Sequence, residues 1–325
     1  MDRRQLIKAT LGAASLSAAH SSWAQSQYPN RPLRLIIPFA PGGSTDVLGR
    51  KTALRLGQIL GQPVVVDNKA GAAGVLGCVE GARAAPDGYT LLMGTTGTHA
   101  VNPSSMVRPA YDAVRDFAPI TLLGTQPISI AVNPKVPANT LAELIALIRA
   151  QPGKYSYGSA GNGGIAHLSF ELLKTLVGGL DAPHIPYKGG APALQDVVAG
   201  HVPILSDTFS STLPQHRMKT LRVIAMTGER RARLAPDIPA GTETVPGLVT
   251  STCGLLLAPA RTPRAIIETL HQAVAKMVKD PAFMAELDAL SMEASTDSSP
   301  EYAASFISSE IAKWAPVVKA TGTTM

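Results

Sequence analysis

The sequence predicts an α/β protein made of two doubly wound domains with a ligand cleft between them. Three observations carry that expectation. Strand-like and helix-like segments alternate for most of the chain, the pattern of a parallel sheet covered by helices on both faces. Hydrophobic residues make up 45% of the 325 residues but aromatic residues only 5%, which suits a core of Val, Ile, Leu and Ala. Two glycine-rich turns, one in each half, join the end of a strand to the start of a helix.

The elements follow in order. Leu33–Phe39 reads as a buried strand and Thr45–Leu60 as the helix after it. Pro63–Asp67 is a second strand, Gly74–Ala84 a short helix, and Tyr89–Met93 a third strand that stops at the polar turn Gly94–Thr98. After an irregular stretch, Ile128–Asn133 opens a second series. Thr140 and Glu143 have capping-box spacing and start a helix through Arg149, which Pro152-Gly153 ends. Tyr155–Ser159, His184–Pro186, Pro203–Ser206 and Leu221–Met226 read as strands, with helices over Ile165–Leu176 and Ala191–Ala199. Arg230–Leu248, rich in Pro and Gly, reads as an extended loop. Val249–Ala258 is a long strand able to return the chain to the first domain. The remainder is helical: Thr262-Pro263, Asp280-Pro281 and Ser299-Pro300 each place a cap residue before a proline at the first helical position. Phe306, Ile307, Ile311 and Trp314 stand at helical spacing and read as core packing.

The N-terminus reads as an export signal. Arg3, Arg4 and Lys8 precede the short apolar run Ala9–Ala19, and Ser22-Trp23-Ala24 places small residues for cleavage after Ala24. The apolar run is too short to span a bilayer, and the paired arginines resemble a twin-arginine signal. Removal of residues 1–24 lowers the formal charge from +6 to +4 and leaves about 300 residues, enough for two domains. A mild positive charge fits attraction of anions to a cleft. The basic residues are scattered and lack interleaved aromatics, which argues against nucleic acid. The seven histidines show no HxH, HExxH or CxxC spacing, so no metal or other cofactor is expected. Cys78 and Cys253 can pair or stay free; their apolar neighbours favour buried free thiols.

Both turns have the chemistry of an anion site. The first, Pro38–Asp46, contains Phe39, Ala40, Gly42, Gly43, Ser44 and Thr45 at a helix start, where unpaired backbone N–H groups form a partial positive pole. Glycines allow close approach, and Ser44 or Thr45 can cap the helix or donate a hydroxyl. No Lys follows as a nucleotide loop requires. The second turn, Ser159-Ala160-Gly161-Asn162-Gly163-Gly164, runs into a helix with His167 in its first turn. Together the two suggest an anion held between facing helix ends at strand C-termini. Asp207, at a strand end, orders the cleft or meets a donor on the ligand, or is a solvated loop acid. No GxSxG elbow or partnered carboxylate pair is present, so an enzyme is not expected.

These residues carry a resemblance. YPNRPLRLIIPFAPGGSTDVLGR (28–50), GQPVVVDNKAGAAG (61–74), APDGYTLLMGTTGTHAVNP (85–103), DFAPITLLG (116–124), YGSAGNGGIAHLSFELLK (157–174), IPYKGGAPALQDVVAGHVPILSD (185–207) and GLLLAPARTP (254–263) resemble the Bug family of extracytoplasmic receptors, which serve tripartite tricarboxylate transporters. The resemblance implies a type II periplasmic binding fold, with domain 1 over 25–125 plus about 250–325 and domain 2 over about 126–249. It implies a periplasmic, monomeric receptor that closes on a small organic carboxylate and docks on membrane permease subunits. It places ligand contacts on Ala40, Gly43, Ser44, Thr45, Thr96, Gly97, Ser159, Ala160 and Asn162, with Phe39, Asp46, Gly161, His167 and Asp207 also at the cleft. Three departures bear on ligand identity: Gly164 where relatives carry Ser or Thr, Thr252-Cys253 in place of Trp-Phe, and Thr208 where Asn is common. A sensor presenting its closed form to a membrane kinase would use the same site, and a secreted carboxylate enzyme would need an activated nucleophile or metal.

Overall fold

The computed structural model describes residues 28–321; the export signal read at residues 1–24 lies outside them. Strand β1 (Leu33–Ile37) lies between β2 (Val64–Asn68) and β3 (Thr90–Gly94), parallel to both. In the second half β5 (Tyr157–Ser159) lies between β6 (His184–Pro186) and β7 (Ile204–Thr208), again parallel to both. Two long strands connect the halves. In β4 (Phe117–Val132), Phe117–Pro127 pairs with β9 (Ser251–Pro259), while Ile128–Val132 pairs with β7 and with β8 (Arg222–Met226). A short β10 (Glu293–Ala294) also pairs with β4.

The sheet is therefore mixed, and the parallel sheet expected from the alternation holds only for its two outer parts. The β3–β9, β9–β4, β4–β7 and β4–β8 pairings are antiparallel. Alternation reports strand-helix-strand units, but it is blind to long strands that cross from one half to the other. The start of β4 at Phe117 also departs from the expected Ile128. Pro119, Gly124 and Pro127 break the strand pattern there, and the register shifts at Pro119/Thr121 and Leu122/Gly124 mark the irregularities that accommodate them.

Helix α1 (Ser44–Leu60) follows β1, and α2 (Val75–Arg83) follows β2. A π-helical turn at Gly97–Val101 continues into Asn102–Ser105, where the sequence suggested irregular chain. The second half carries α3 (Leu141–Ala150), α4 (Ile165–Leu176), α5 (Gly190–Ala199) and α6 (Phe209–Arg217). Helix α6 was not foreseen, because Ser, Thr and Pro214 are poor helix formers; burial of Phe209 and Leu213 anchors it. The chain closes with α7 (Arg264–Met277), α8 (Pro281–Ala289) and α9 (Pro300–Thr321).

The caps follow local chemistry. Thr140 Oγ1 accepts from Glu143 N at 3.1 Å, and the reciprocal Glu143 bond goes to Asn139 N. Asp280 accepts from Ala282 N and Ser299 from Tyr302 N. At α7 the cap position is Pro263 itself, and Thr262 Oγ1 instead donates to Pro259 O, one residue off the expected arrangement.

Each half has its own core. Leu33, Leu35 and Ile37 pack with Leu56, Leu270 and Phe283 in the first. Ile130 and Val132 pack with Leu144, Ile148, Tyr157 and Phe170 in the second. Helix α9 ties the two together: Ile307 joins the core of the first half, while Trp314 packs with Ile128, Ile165 and Leu168. Cys78 and Cys253 are buried free thiols.

Candidate functional site

The end of β1 and the start of α1 are joined by a turn that only glycine can make at one position. Gly42 has φ +85°, and Gly43 then caps α1 in an extended conformation (φ −77°, ψ 167°) without a side-chain bond. The third helical residue, Asp46, folds back instead, accepting from Gly42 N, Arg50 Nε and Asn68 Nδ2, each at 2.9 Å. Burial pushes this carboxyl up, but the bonds from Arg50, Gly42 and Asn68 outweigh it and hold the pKa below its ordinary value. Asp46 thus braces the turn, and Ser44 and Thr45 line the cleft in front of it.

The second turn repeats this construction. Gly163 has φ +71°, Gly164 caps α4 in an extended conformation (φ −72°, ψ 163°), and no side chain caps the helix. The third helical residue, His167, again reaches back, its Nδ1 accepting from Gly163 N at 3.0 Å. That bond places the ring proton on Nε2, 3.9 Å from Glu171 Oε1. Burial drives the pKa of His167 down to about 4, with Glu171 opposing, so the imidazole is neutral. The ring stacks on His184, centroids 3.9 Å apart, and His184 Nε2 lies 2.7 Å from Ser159 Oγ. Ser159 also exchanges bonds with Gly161 N and O. Ser159 and His167 therefore support the turn from beneath, while Ala160, Gly161 and Gly164 line the cleft.

A third helix start, absent from the sequence expectation, points into the same space. Gly189 (φ +150°) precedes α5, and Gly190 lines the cleft against the Asp207 carboxylate. A Cβ at Gly190 would overlap that carboxylate, so glycine is required by close approach. The signal was available in principle: strand, Gly-Gly, helix is the same order as in the other two turns. Asp207 is 3% exposed; it accepts from Thr208 N and Ser211 Oγ, each at 2.8 Å. Burial raises its pKa to about 6, against those two bonds.

The remaining wall comes from the loop after β3 and the crossover strands. Thr95 and Gly97 line the cleft, whereas Thr96 is buried beside the Cys253 thiol, a one-residue shift from the expected contact. Thr252 of β9 and Thr208 at the end of β7 add hydroxyls; Phe39, Ala73, Ile128, Ile165 and Ala166 add apolar surface. Ala40 meets Gly189, and Asn162 is exposed at the turn. The empty space between these walls, open solvent at its mouth included, is about 580 Å³.

No basic side chain lines this space among the described residues. Its positive character comes from three helix starts, each equivalent to roughly half an elementary charge. An anion seated there would meet main-chain N–H groups and hydroxyls. The two halves already touch: a Cβ at Gly161 would stand 3.2 Å from Ala73 Cα, and one at Gly189 3.2 Å from Ala40 N. No cluster of His, Cys, Asp or Glu able to hold a metal occurs among the described residues, nor does any helix there have the length and apolar character to cross a membrane.

Comparison with known proteins adds an independent line. Residues 48–323 match the model of the tripartite tricarboxylate transporter family receptor. Protein BugT of Bordetella pertussis is 36% identical over 299 residues, covering 91% of this chain and 90% of its own. Among solved structures, Rpa4515 of R. palustris with adipate is 32% identical, with TM-score 0.88 over 91% of this chain and 99% of that one. MatC of Rhodopseudomonas palustris with bound malate is 30% identical, with TM-score 0.86 over 90% of this chain and 100% of that one.

Proposed function

The chain belongs to the tripartite tricarboxylate transporter receptor family, and from that premise we propose that it is a periplasmic protein that closes on a small organic carboxylate and delivers it to a membrane permease. Its fold is the type II periplasmic binding fold, two α/β halves with a cleft between them. We take residues 25–125 with about 250–325 as one domain, residues 126–249 as the other, and β4 and β9 as the hinge between them.

The observation that carries this reading is the convergence of uncapped helix starts on a cleft without a cation. Such a site satisfies a carboxylate through oriented N–H groups and leaves selection to cleft shape. The adipate and malate seen in relatives support the same ligand class. Ala40, Gly43, Ser44 and Thr45 would hold one end of the ligand, and the Ala160–Gly164 turn with Gly190 the other. A ligand touching both halves stabilises the closed arrangement by its differential contacts. The protein acts by binding and release, as a monomer without cofactor.

Thermal unfolding of residues 25–325 across aliphatic diacids, citrate-like acids, acidic amino acids and aromatic acids tests the proposal. A ligand at about 100 times its Kd adds roughly 2.7 kcal/mol, which moves the midpoint by a few degrees. A shift with one chemical class supports the receptor reading. No shift, together with no carboxylate in the mass spectrum of the denatured protein, would contradict it. Loss of uptake in a deletion strain, without loss of gene induction, assigns transport over sensing.

A further inference from the structure

Asp207 is the one ionisable side chain among the described residues lining the cleft. It stands where an anion is expected, which is a poor place for a second negative charge. Its surroundings do not neutralise it. Oδ1 accepts from Thr208 N and Oδ2 from Ser211 Oγ, while Gly190 at the start of α5 closes against it. An ionised carboxylate has about four acceptor positions, and those two bonds use two. The start of α5 offsets part of its charge, and no Lys, Arg or His lines the space to complete the neutralisation.

We propose that Asp207 selects the ligand: the cleft prefers small carboxylates that also carry a hydrogen-bond donor, a hydroxyl or an ammonium, over plain diacids of the same length. This rests on the carboxylate-receptor reading and sharpens it. A donor on the ligand fills an open acceptor position on Asp207 and places positive hydrogen between two negative groups. A plain diacid brings only acceptors and methylenes, so its approach either forces a proton onto Asp207 or leaves two carboxylates facing each other in a buried space. The hydroxyls of Ser44, Thr45, Thr95 and Thr252 serve the ligand carboxylates and do not relieve that repulsion. The same residue explains the glycine at position 190, where the carboxylate occupies the volume a Cβ would need.

The test is calorimetric affinity for matched acids that differ at one carbon. Succinate, malate and aspartate form the four-carbon series; glutarate, 2-hydroxyglutarate and glutamate the five-carbon one; adipate and 2-aminoadipate the six-carbon one. In at least one series the donor-bearing acid binds ten times more tightly than the plain acid, or better, as expected for a hydrogen bond to a charged partner. Asp207→Asn keeps the shape and removes the charge, and it reduces the preference for the ammonium-bearing acid at least tenfold. Should the variant fail to fold, the selectivity of the native protein still decides. Plain diacids binding as tightly as their counterparts at every length would overturn the proposal and leave the receptor reading standing. So would a preference that survives unchanged in Asp207→Asn. Binding by none of these acids would overturn the proposal as well, since the donor-bearing acids it favours would go unrecognised; the receptor reading would then be decided separately by the wider panel of citrate-like and aromatic acids.

Discussion

Gly161→Ala separates closure of the cleft from stability of the fold. Gly161 sits on the second-half wall at φ +149°, and an added Cβ would stand 3.2, 3.3 and 3.4 Å from Ala73 Cα, Cβ and N on the first half. Two costs follow. The backbone strain of a side chain at that φ acts in the open and closed forms alike, so it lowers stability without changing affinity. The contact with Ala73 exists only when the halves meet, so it acts on closure. Ala73 belongs to a short 3₁₀ turn with positive φ of its own, which limits how far it can yield. Over-packing of this kind costs about 1–3 kcal/mol, which corresponds to a Kd roughly 5- to 150-fold higher. Gly178→Ala is the control. Gly178 too has positive φ (+78°), it does not line the cleft, and an added Cβ finds nothing within 4 Å. The substitution should lower stability and change affinity by less than about twofold. The assay is calorimetric titration with whichever of malate, aspartate, adipate and citrate binds the native protein best, beside the melting midpoint without ligand. A Gly161→Ala protein that binds as tightly as the native one would refute the argument that these halves meet in the ligand-bound form.

Further predictions concern charge and bracing. Asp207 has its pKa raised from 3.8 to about 6 by burial, so the fold holds that proton better than the unfolded chain does. Its contribution to stability is greatest below pH 3.8 and falls as pH rises through 6. Asp207→Asn should therefore stabilise the ligand-free protein at pH 7 by up to about 3 kcal/mol, a gain that vanishes below pH 4 in urea unfolding; equal stability at pH 7 would argue against a buried charge. His99, His167 and His184 are shifted the other way by burial, to about 3, 4 and 3. The unfolded chain takes protons that the fold refuses as pH drops below 6.5, and stability falls between pH 7 and 5 by on the order of 4 kcal/mol after the opposing gain from Asp207; a flat profile would contradict the neutral stacked pair. Asp46→Ala removes the acceptor shared by Gly42 N, Arg50 and Asn68. It should cost about 1–3 kcal/mol in unfolding and weaken binding as well, whereas loss of affinity alone would make Asp46 a direct contact.

Much of this was legible in the sequence, for a physical reason. A strand followed by glycines and then a helix is local grammar, so the Gly42-Gly43 and Gly163-Gly164 turns were readable without a structure. So were the packing roles of Ile307 and Trp314, whose helical spacing put them on one buried face. What was missed depends on contacts between distant residues. The first half of β4 is a strand because β9 pairs with it, despite Pro119 and Pro127. Gly190 matters because Asp207, seventeen positions on, packs against it. The choice between Thr95 and Thr96 depends on which one faces Cys253. Asp46 and His167 were read as cleft residues; that both instead reach back to a glycine N–H is a matter of rotamer and not of pattern.

The central claim is that oriented main-chain N–H groups in the cleft hold a carboxylate. It is tested most directly by titrating ligand-free protein with the tightest-binding acid and with that acid's amide, which keeps the shape and removes the charge. The account predicts saturable binding of the acid with one site per chain, and loss of at least two orders of magnitude in affinity for the amide. Equal affinity for the two, or binding of the amide alone, would contradict it.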